Sequence, residues 1–457
     1  MKMKGKMTLI FAALTVVILS SCSDKWLEAK PDESLIVPSS IEDFQALLDN
    51  SSQTFNVSQS SSLGEISAGD FYITYSSWQS LFTTQEKMAY VWADTKDFYG
   101  TESSTGWQNS YRRILNANVI LNGIQKVKPI SGRQKDWDNV KGSALFFRAF
   151  DYYHLTQLFC KAYNSTTAST DLGLPLRLDY DVNVVVKRAT LRLVYDQVIQ
   201  DLQTAASLLE TAPLFKTRPS KQAAFALLAR TYLSMELYEQ AGLYADSALK
   251  IQSELVDYSK VNSSPTYPFV RFNPEVIFHS TFLFGIFTIS KLIVEPELYN
   301  SYTSDDYRRT LLFRAVSGGV TFRGHYSGDR NLFGGLATDE LYLIRAESNA
   351  RRGELNASLS DLNFLLRHRY KPGFAPLISN NATEVLRLVL NERRKELAFR
   401  GIRWSDLRRL NKDNRFAVTL SRTLNSQTYQ LLPNDKKYVM PIDEQEIRLS
   451  GIEQNDR

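Results

Sequence analysis

Cysteine and histidine are scarce in this chain of 457 residues, with two of the first and four of the second. His154, His279, His325 and His368 stand far apart. No HExxH and no Cys/His pairing occurs, so the sequence offers no transition-metal ligand set. A G-x-S-x-G elbow, a P-loop and a G-x-G-x-x-G fingerprint are equally absent, which leaves no local signature of catalysis. Acidic pairs such as Asp305-Asp306 read as solvated loop, and no EF-hand pattern supports calcium. Charge of one sign is also lacking: 54 Lys and Arg face 49 Asp and Glu, a net +5. Lys2, Lys4 and Lys6 supply three of those positive charges, and the rest are evenly spread. That excludes nucleic acid as the expected partner. No apolar run reaches the roughly 20 residues of a spanning helix.

The longest such run, Thr8 to Leu19, follows the three lysines and ends in Leu19-Ser20-Ser21-Cys22. A positive end, a short apolar stretch and small residues before a cysteine read as a secretory leader. The four-residue ending resembles the bacterial lipobox, which implies cleavage before Cys22 and acylation of its thiol. Residues 1–21 are then a removed signal, 22–38 a lipid-anchored tether and 39–457 the body. Cys160 is left without an intramolecular disulfide partner. It lies in the apolar run Leu155 to Cys160 and reads as a small buried hydrophobe.

What the chain has in quantity is aromatic side chains, 25 Phe, 23 Tyr and 6 Trp, within an ordinary globular composition of 43% apolar and 23% charged residues. Helical periodicity covers about 108–127, 138–160, 191–210, 220–234, 238–251, 338–352, 356–370 and 383–400, with a short helix after Ser39-Ser40. Two aromatic-rich stretches, about 50–106 and 256–336, read as irregular, as do most of the last fifty residues. The helices come in pairs, and one pair has tetratricopeptide spacing: Phe225, Leu228, Ala229 and Tyr232, then Ala241, Ala245 and Ala248. Residues 342–362 keep the same outline with fewer signature residues. The expected fold is mainly α, degenerate tetratricopeptide-like helix pairs forming an α-α superhelix, with long irregular regions packed against it. In the dense segment Asn391 to Arg409, Glu396/Arg400 and Glu392/Lys395 have helix-face spacing. Gly401 is expected to end that helix, and the charges read as a network locking it to the body.

In order along the chain, several motifs resemble the SusD/RagB family of Bacteroidetes outer-membrane lipoproteins. After the lipobox, Ser23-Asp24 looks like a surface-export tag. Gly173-Leu174-Pro175-Leu176 with Arg188-Ala189-Thr190 follows, then Pro219-Ser220-Lys221 leading into Leu227-Leu228-Ala229-Arg230. Asn273-Pro274-Glu275, Leu343-Ile344-Arg345-Ala346-Glu347, Glu392-Arg393-Arg394 and Met440-Pro441-Ile442 complete the set. The resemblance implies a non-catalytic surface protein that captures oligosaccharides, or alternatively peptides, and passes them to a SusC/RagA-type TonB-dependent transporter. It implies no cofactor. A tetratricopeptide scaffold for envelope assembly and a surface hydrolase are the competing readings. A stacking platform suits either ligand, because sugars present flat C–H faces and peptides aromatic ones. Trp78, Tyr75 and Tyr72 are its expected members, with Tyr302, Tyr299 and Tyr307 on a second patch, beside Asp305, Asp306 and Arg308, that closes over the first.

Overall fold

Each of the long amphipathic patterns is a helix in the computed structural model, which describes residues 38–457. The leader, Cys22 and nearly all of the tether lie outside the described residues. The body, Ser40–Arg457, is one unit. It opens on α1 (Ile41–Leu48), started by a capping box: Asp43 N–H donates to the Ser40 hydroxyl and Ser40 N–H to the Asp43 carboxylate. Then come α2 (Ser62–Ser67), β1 (Phe71–Tyr72), α3 (Tyr75–Gln79) and α4 (Thr84–Tyr90). The 50–106 stretch is thus partly helical, contrary to the irregular reading. Its helices are too short for a 3.6-residue period to show.

The scaffold proper is α5 (Thr105–Ile124), α6 (Gln134–Phe159), the β2/β3 hairpin (Leu172–Pro175, Arg188–Thr190), α7 (Leu191–Leu208), α8 (Lys221–Ser234) and α9 (Tyr238–Ile251). It resumes at α12 (Thr338–Arg351), α13 (Leu355–Arg367) and α14 (Ala382–Glu396). Each helix packs on the next, and α9 packs directly on α12. The segment between those two is therefore an insertion. It carries β4 (Val276–Phe278), β5 (Thr281–Phe282), β6 (Ile293–Val294), α10 (Pro296–Asn300), α11 (Arg308–Leu311), β7 (Phe313–Val316), β8 (Gly319–Phe322), β9 (Leu332–Phe333) and β10 (Leu336–Ala337). Its strands pair only two by two, β4 with β10, β5 with β9 and β7 with β8, while β6 pairs with β1.

The α8/α9 pair packs as its spacing requires. Ala229, Ala241, Ala245 and Ala248 are excluded from solvent, and Tyr232 stacks on Tyr244 at 5.4 Å. A Cβ added at Gly242 would stand 2.9 Å from the Ser348 Cβ, so α12 approaches α9 as closely as the backbone allows. Cys160 is fully buried, and burial pushes its thiol up to about 11.

The C-terminal region departs from expectation in three places. The last long helix, α14, stops at Glu396, well before Gly401, because Phe399 (φ 59°) and Gly401 (φ 71°) take left-handed backbone. Glu396 bonds Arg308 and Arg369 rather than Arg400, which reaches Asp339 at 3.0 Å; the Glu392–Lys395 pair does form, at 2.8 Å. The closing residues hold α15 (Arg403–Leu410), a hairpin of β11 (Leu420–Leu424) and β12 (Gln427–Leu431), and α16 (Glu444–Ser450). The hairpin turns at Asn425-Ser426, both with positive φ, as a two-residue loop demands.

Candidate functional site

The charged network is interior, and it sets the frame for the surface. Arg308 bonds Asp306, Glu392 and Glu396, while Arg369 bonds Glu396 and Glu275. Arg393 bonds Asp406, and Arg409 bonds Glu347. Buried guanidinium–carboxylate pairs of this kind are costly to break, because the surviving partner keeps an uncompensated buried charge. Asp306 is therefore core and not solvated loop. Glu275, Asp339 and Glu396 bring carboxylate oxygens within 4.8 Å of one another. Guanidinium groups of Arg369, Arg308 and Arg400 already meet that charge. Burial, with the Asp339 and Glu396 charges, pushes Glu275 up to about 7. His154, His279 and His325 are also buried, and burial drives their pKa values down, that of His279 to about 3. Neutral, enclosed imidazoles do not serve surface acid–base chemistry.

Of the expected second patch, Tyr302 is corrected by the structure. Its ring is fully enclosed against the edge of Phe313, with Lys395 over its face, and its hydroxyl donates to the Lys395 carbonyl at 2.8 Å. Those contacts leave no surface for a ligand. Tyr299 is half-buried, with the Arg309 guanidinium 4.1 Å above its ring. Tyr307 is half-buried too, and its N–H donates to the Arg369 carbonyl. The Tyr307 bond ties the insertion to the network, while Tyr299 packs within the insertion on Arg309 and Phe313.

The first patch is different. Gly69 (φ 84°) turns the chain, and Asp70 is held by Arg394 at 3.1 Å. Strand β1 then pairs with β6, Tyr72 opposite Ile293, so the two aromatic-rich regions do meet here. The half-buried Tyr72 sends its hydroxyl toward Gly319 in the β7/β8 hairpin. Ile73 N–H donates to the Tyr90 hydroxyl, and the Thr74 hydroxyl caps α3 by accepting from Ser77 N–H. On that helix Tyr75 and Trp78 are three residues apart and share a face. Their rings stack at 5.9 Å with an 18° interplanar angle. Trp78 Nε1–H donates to the Lys87 carbonyl at 3.1 Å, which fixes the indole on α4. Tyr75 is 38% exposed. Sequence patterning expects Trp78 on a loop; it stands on a capped helical turn, which orients it more tightly.

Two features escaped the sequence. Phe82, four residues beyond Trp78, is 93% exposed while its neighbour Leu81 is buried. The doublet Leu81-Phe82 carries the only signal, since successive apolar residues there cannot both enter the core. The second is a cleft of about 480 Å³ in the insertion, walled by Tyr267, Phe284, Phe287, Phe322, Arg323 and Arg330. Its walls come from three separated segments, which no local pattern joins.

Comparison with known proteins places this architecture. Residues 25–233 match a family model described as SusD-like, starch-binding and associating with the outer membrane; residues 338–456 match that of the SusD family. SusD-like protein P2 of Formosa agariphila is 24% identical over 380 residues, 68% of this chain and 72% of that protein. A SusD superfamily protein from Bacteroides thetaiotaomicron shares the fold with a TM-score of 0.71 at 20% identity, over 92% of this chain and 100% of the other. A SusD-like carbohydrate-binding protein from Bacteroides vulgatus does so with a TM-score of 0.69 at 19% identity, over 90% and 97%. With both terminal portions matched and the helical superhelix shared, the chain belongs to the SusD family.

Proposed function

We propose that this chain is a non-catalytic glycan-binding lipoprotein of the outer membrane, which captures oligosaccharides at the cell surface and passes them to a SusC-type TonB-dependent transporter. The observation that carries the reading is the Tyr75–Trp78 stack on a capped turn, with Tyr75 exposed and Trp78 half-buried behind it, in a chain whose family is described as starch-binding. An exposed tyrosine ring backed by a near-parallel indole matches the apolar C–H face of a sugar ring, and flanking Ser76, Ser77 and Gln79 offer hydroxyl and amide partners. Tyr72 borders the platform. Tyr299 and Tyr307 support the insertion that meets it. Acylation at Cys22 supplies the anchor, and no helix among the described residues is long and apolar enough to cross a membrane.

The test is a binding screen of the purified protein against neutral, carboxylated and sulfated oligosaccharides and against peptides. Saturable binding of a glycan class is expected. Binding of peptides alone contradicts the reading.

A further inference from the structure

The insertion cleft has a composition unlike the rest of the surface. Phe287, Phe322 and Leu332 are buried and form its floor, and half-buried Tyr267 and Phe284 form its rim. Two guanidinium groups, Arg323 and Arg330, line it, and no carboxylate does. Arg323 donates to the carbonyls of Thr310, Ser263, Thr266 and Pro265. Carbonyls satisfy its N–H groups without cancelling its charge. Arg330 is exposed and has no hydrogen-bond or ion-pair partner among the described residues. Its neighbour Asp329 accepts from the backbone and side-chain N–H groups of Asn331 at 2.8 and 3.1 Å and makes no ion pair with Arg330. Some arginines elsewhere on the surface carry their own counter-charge, as in Arg345 with Asp361 and Arg415 with Asp413, while others, such as Arg314 and Arg387, are exposed without one among the described residues; what sets Arg330 apart is its place on an aromatic cleft. In another sizeable cleft that holds several cations, Arg408 bonds carbonyls as Arg323 does, but the lysines have acidic partners. There Lys161 pairs with Asp171, Lys436 with Asp456 and Lys412 with Glu236.

We propose that the insertion cleft binds an acidic sugar unit, one bearing a carboxylate or sulfate, with its ring on the Phe284 and Tyr267 rims and its anion on Arg330. This rests on the glycan-binding reading and names the class of glycan. A guanidinium presents a planar fork of donors that matches the paired oxygens of either anion, and charge-assisted bonds of this kind exceed neutral ones in strength. Arg323 adds a fixed positive potential beneath it. Burial, and then the proximity of Arg314, lowers the Arg323 pKa.

The walls are built in advance of a ligand. A Cβ at Gly324 (φ 119°) would stand 3.0 Å from Tyr267 Cδ1, so the tyrosine ring lies directly on glycine backbone. The Ser327 hydroxyl donates to the Asn331 carbonyl at 2.5 Å and fixes the loop that carries Arg330. On the opposite wall, Ile286 N–H donates to the Glu86 carboxylate at 2.8 Å. Glu86 belongs to α4, whose Lys87 carbonyl holds Trp78. One helix thus braces both the aromatic platform and the arginine-lined cleft, and a ligand positioned by preformed walls loses less entropy on binding.

Calorimetry at low salt tests this with matched probes: oligogalacturonate against its methyl ester, and sulfated against unsulfated galactan oligomers. At least one acidic form is expected to bind tenfold or more tightly than its neutral counterpart, about 1.4 kcal/mol. The arm that shows the preference identifies carboxylate or sulfate. Arg330→Gln is expected to abolish the preference while leaving the neutral form's affinity unchanged, and Arg330→Lys to retain part of it. Equal affinity for acidic and neutral forms overturns the cleft assignment alone. So does a preference that survives Arg330→Gln, or Arg330-dependent binding of polyglutamate in place of the sugars. Failure of every sugar to bind, acidic or neutral, overturns the glycan reading itself.

Discussion

Glu65 lies in α2 with its carboxylate fully enclosed; Oε2 accepts from Gly401 N–H at 2.9 Å and Oε1 has no partner. Burial, reinforced by the Asp70 charge, pushes its pKa from 4.5 up to about 8, against weak help from Arg403. The folded protein therefore keeps a proton that the unfolded chain releases above pH 4.5. Its contribution to stability is complete below that value and is lost as pH rises toward 8. Glu65→Gln mimics the neutral form and is expected to flatten this decline. Urea unfolding at pH 5 and pH 8 checks it: a smaller loss for the variant supports the assignment, and an equal loss contradicts it. Single residues were unevenly legible. The Arg/Glu segment announced a network, but its true partners, Asp339, Asp306 and Arg369, come from elements distant in sequence, so helix spacing proposed Arg400 for Glu396 wrongly. Tyr302 failed for the same reason: a tyrosine in a polar stretch looks exposed until distant Phe313 and Lys395 enclose it.

At the scale of elements, the α8/α9 pair makes the plainest claim. Ala229 is fully buried in its contact, so Ala229→Leu is expected to overpack it and cost about 1–3 kcal/mol. Unchanged thermal unfolding contradicts close packing at that position. The short helix α3 makes another. Removing its cap with Thr74→Ala is expected to cost about 0.5–2 kcal/mol of local order and to weaken glycan binding without altering the global fold. A variant that binds as tightly as the parent shows that the platform does not depend on the helical turn. Long helices were readable because their faces repeat over several turns. The pieces missed, α2 to α4 and the β11/β12 hairpin, are short, and tertiary contacts decide them. Arg422 illustrates this: it occupies an inward strand position because its guanidinium reaches the Tyr90 and Ile66 carbonyls and lies over the Tyr90 ring.

For the whole molecule, the superhelix serves as a frame on which an N-terminal aromatic segment and one long insertion meet through β1 and β6. The family resemblance was legible end to end because its motifs mark the frame. The proposed ligand surface was only half legible, since Tyr75 and Trp78 are local while the insertion cleft joins remote segments. The anchor is a separate expectation. Cys22→Ala should release the protein from the membrane fraction, and fatty-acid labelling that persists in the variant contradicts acylation at that residue. The central claim, that the Tyr75–Trp78 face carries the ligand, is tested most directly by titrating the bound glycan into Trp78→Ala. An affinity at least tenfold weaker, about 1.4 kcal/mol, in a variant that remains folded is the predicted result. Equal affinity in the folded variant contradicts it.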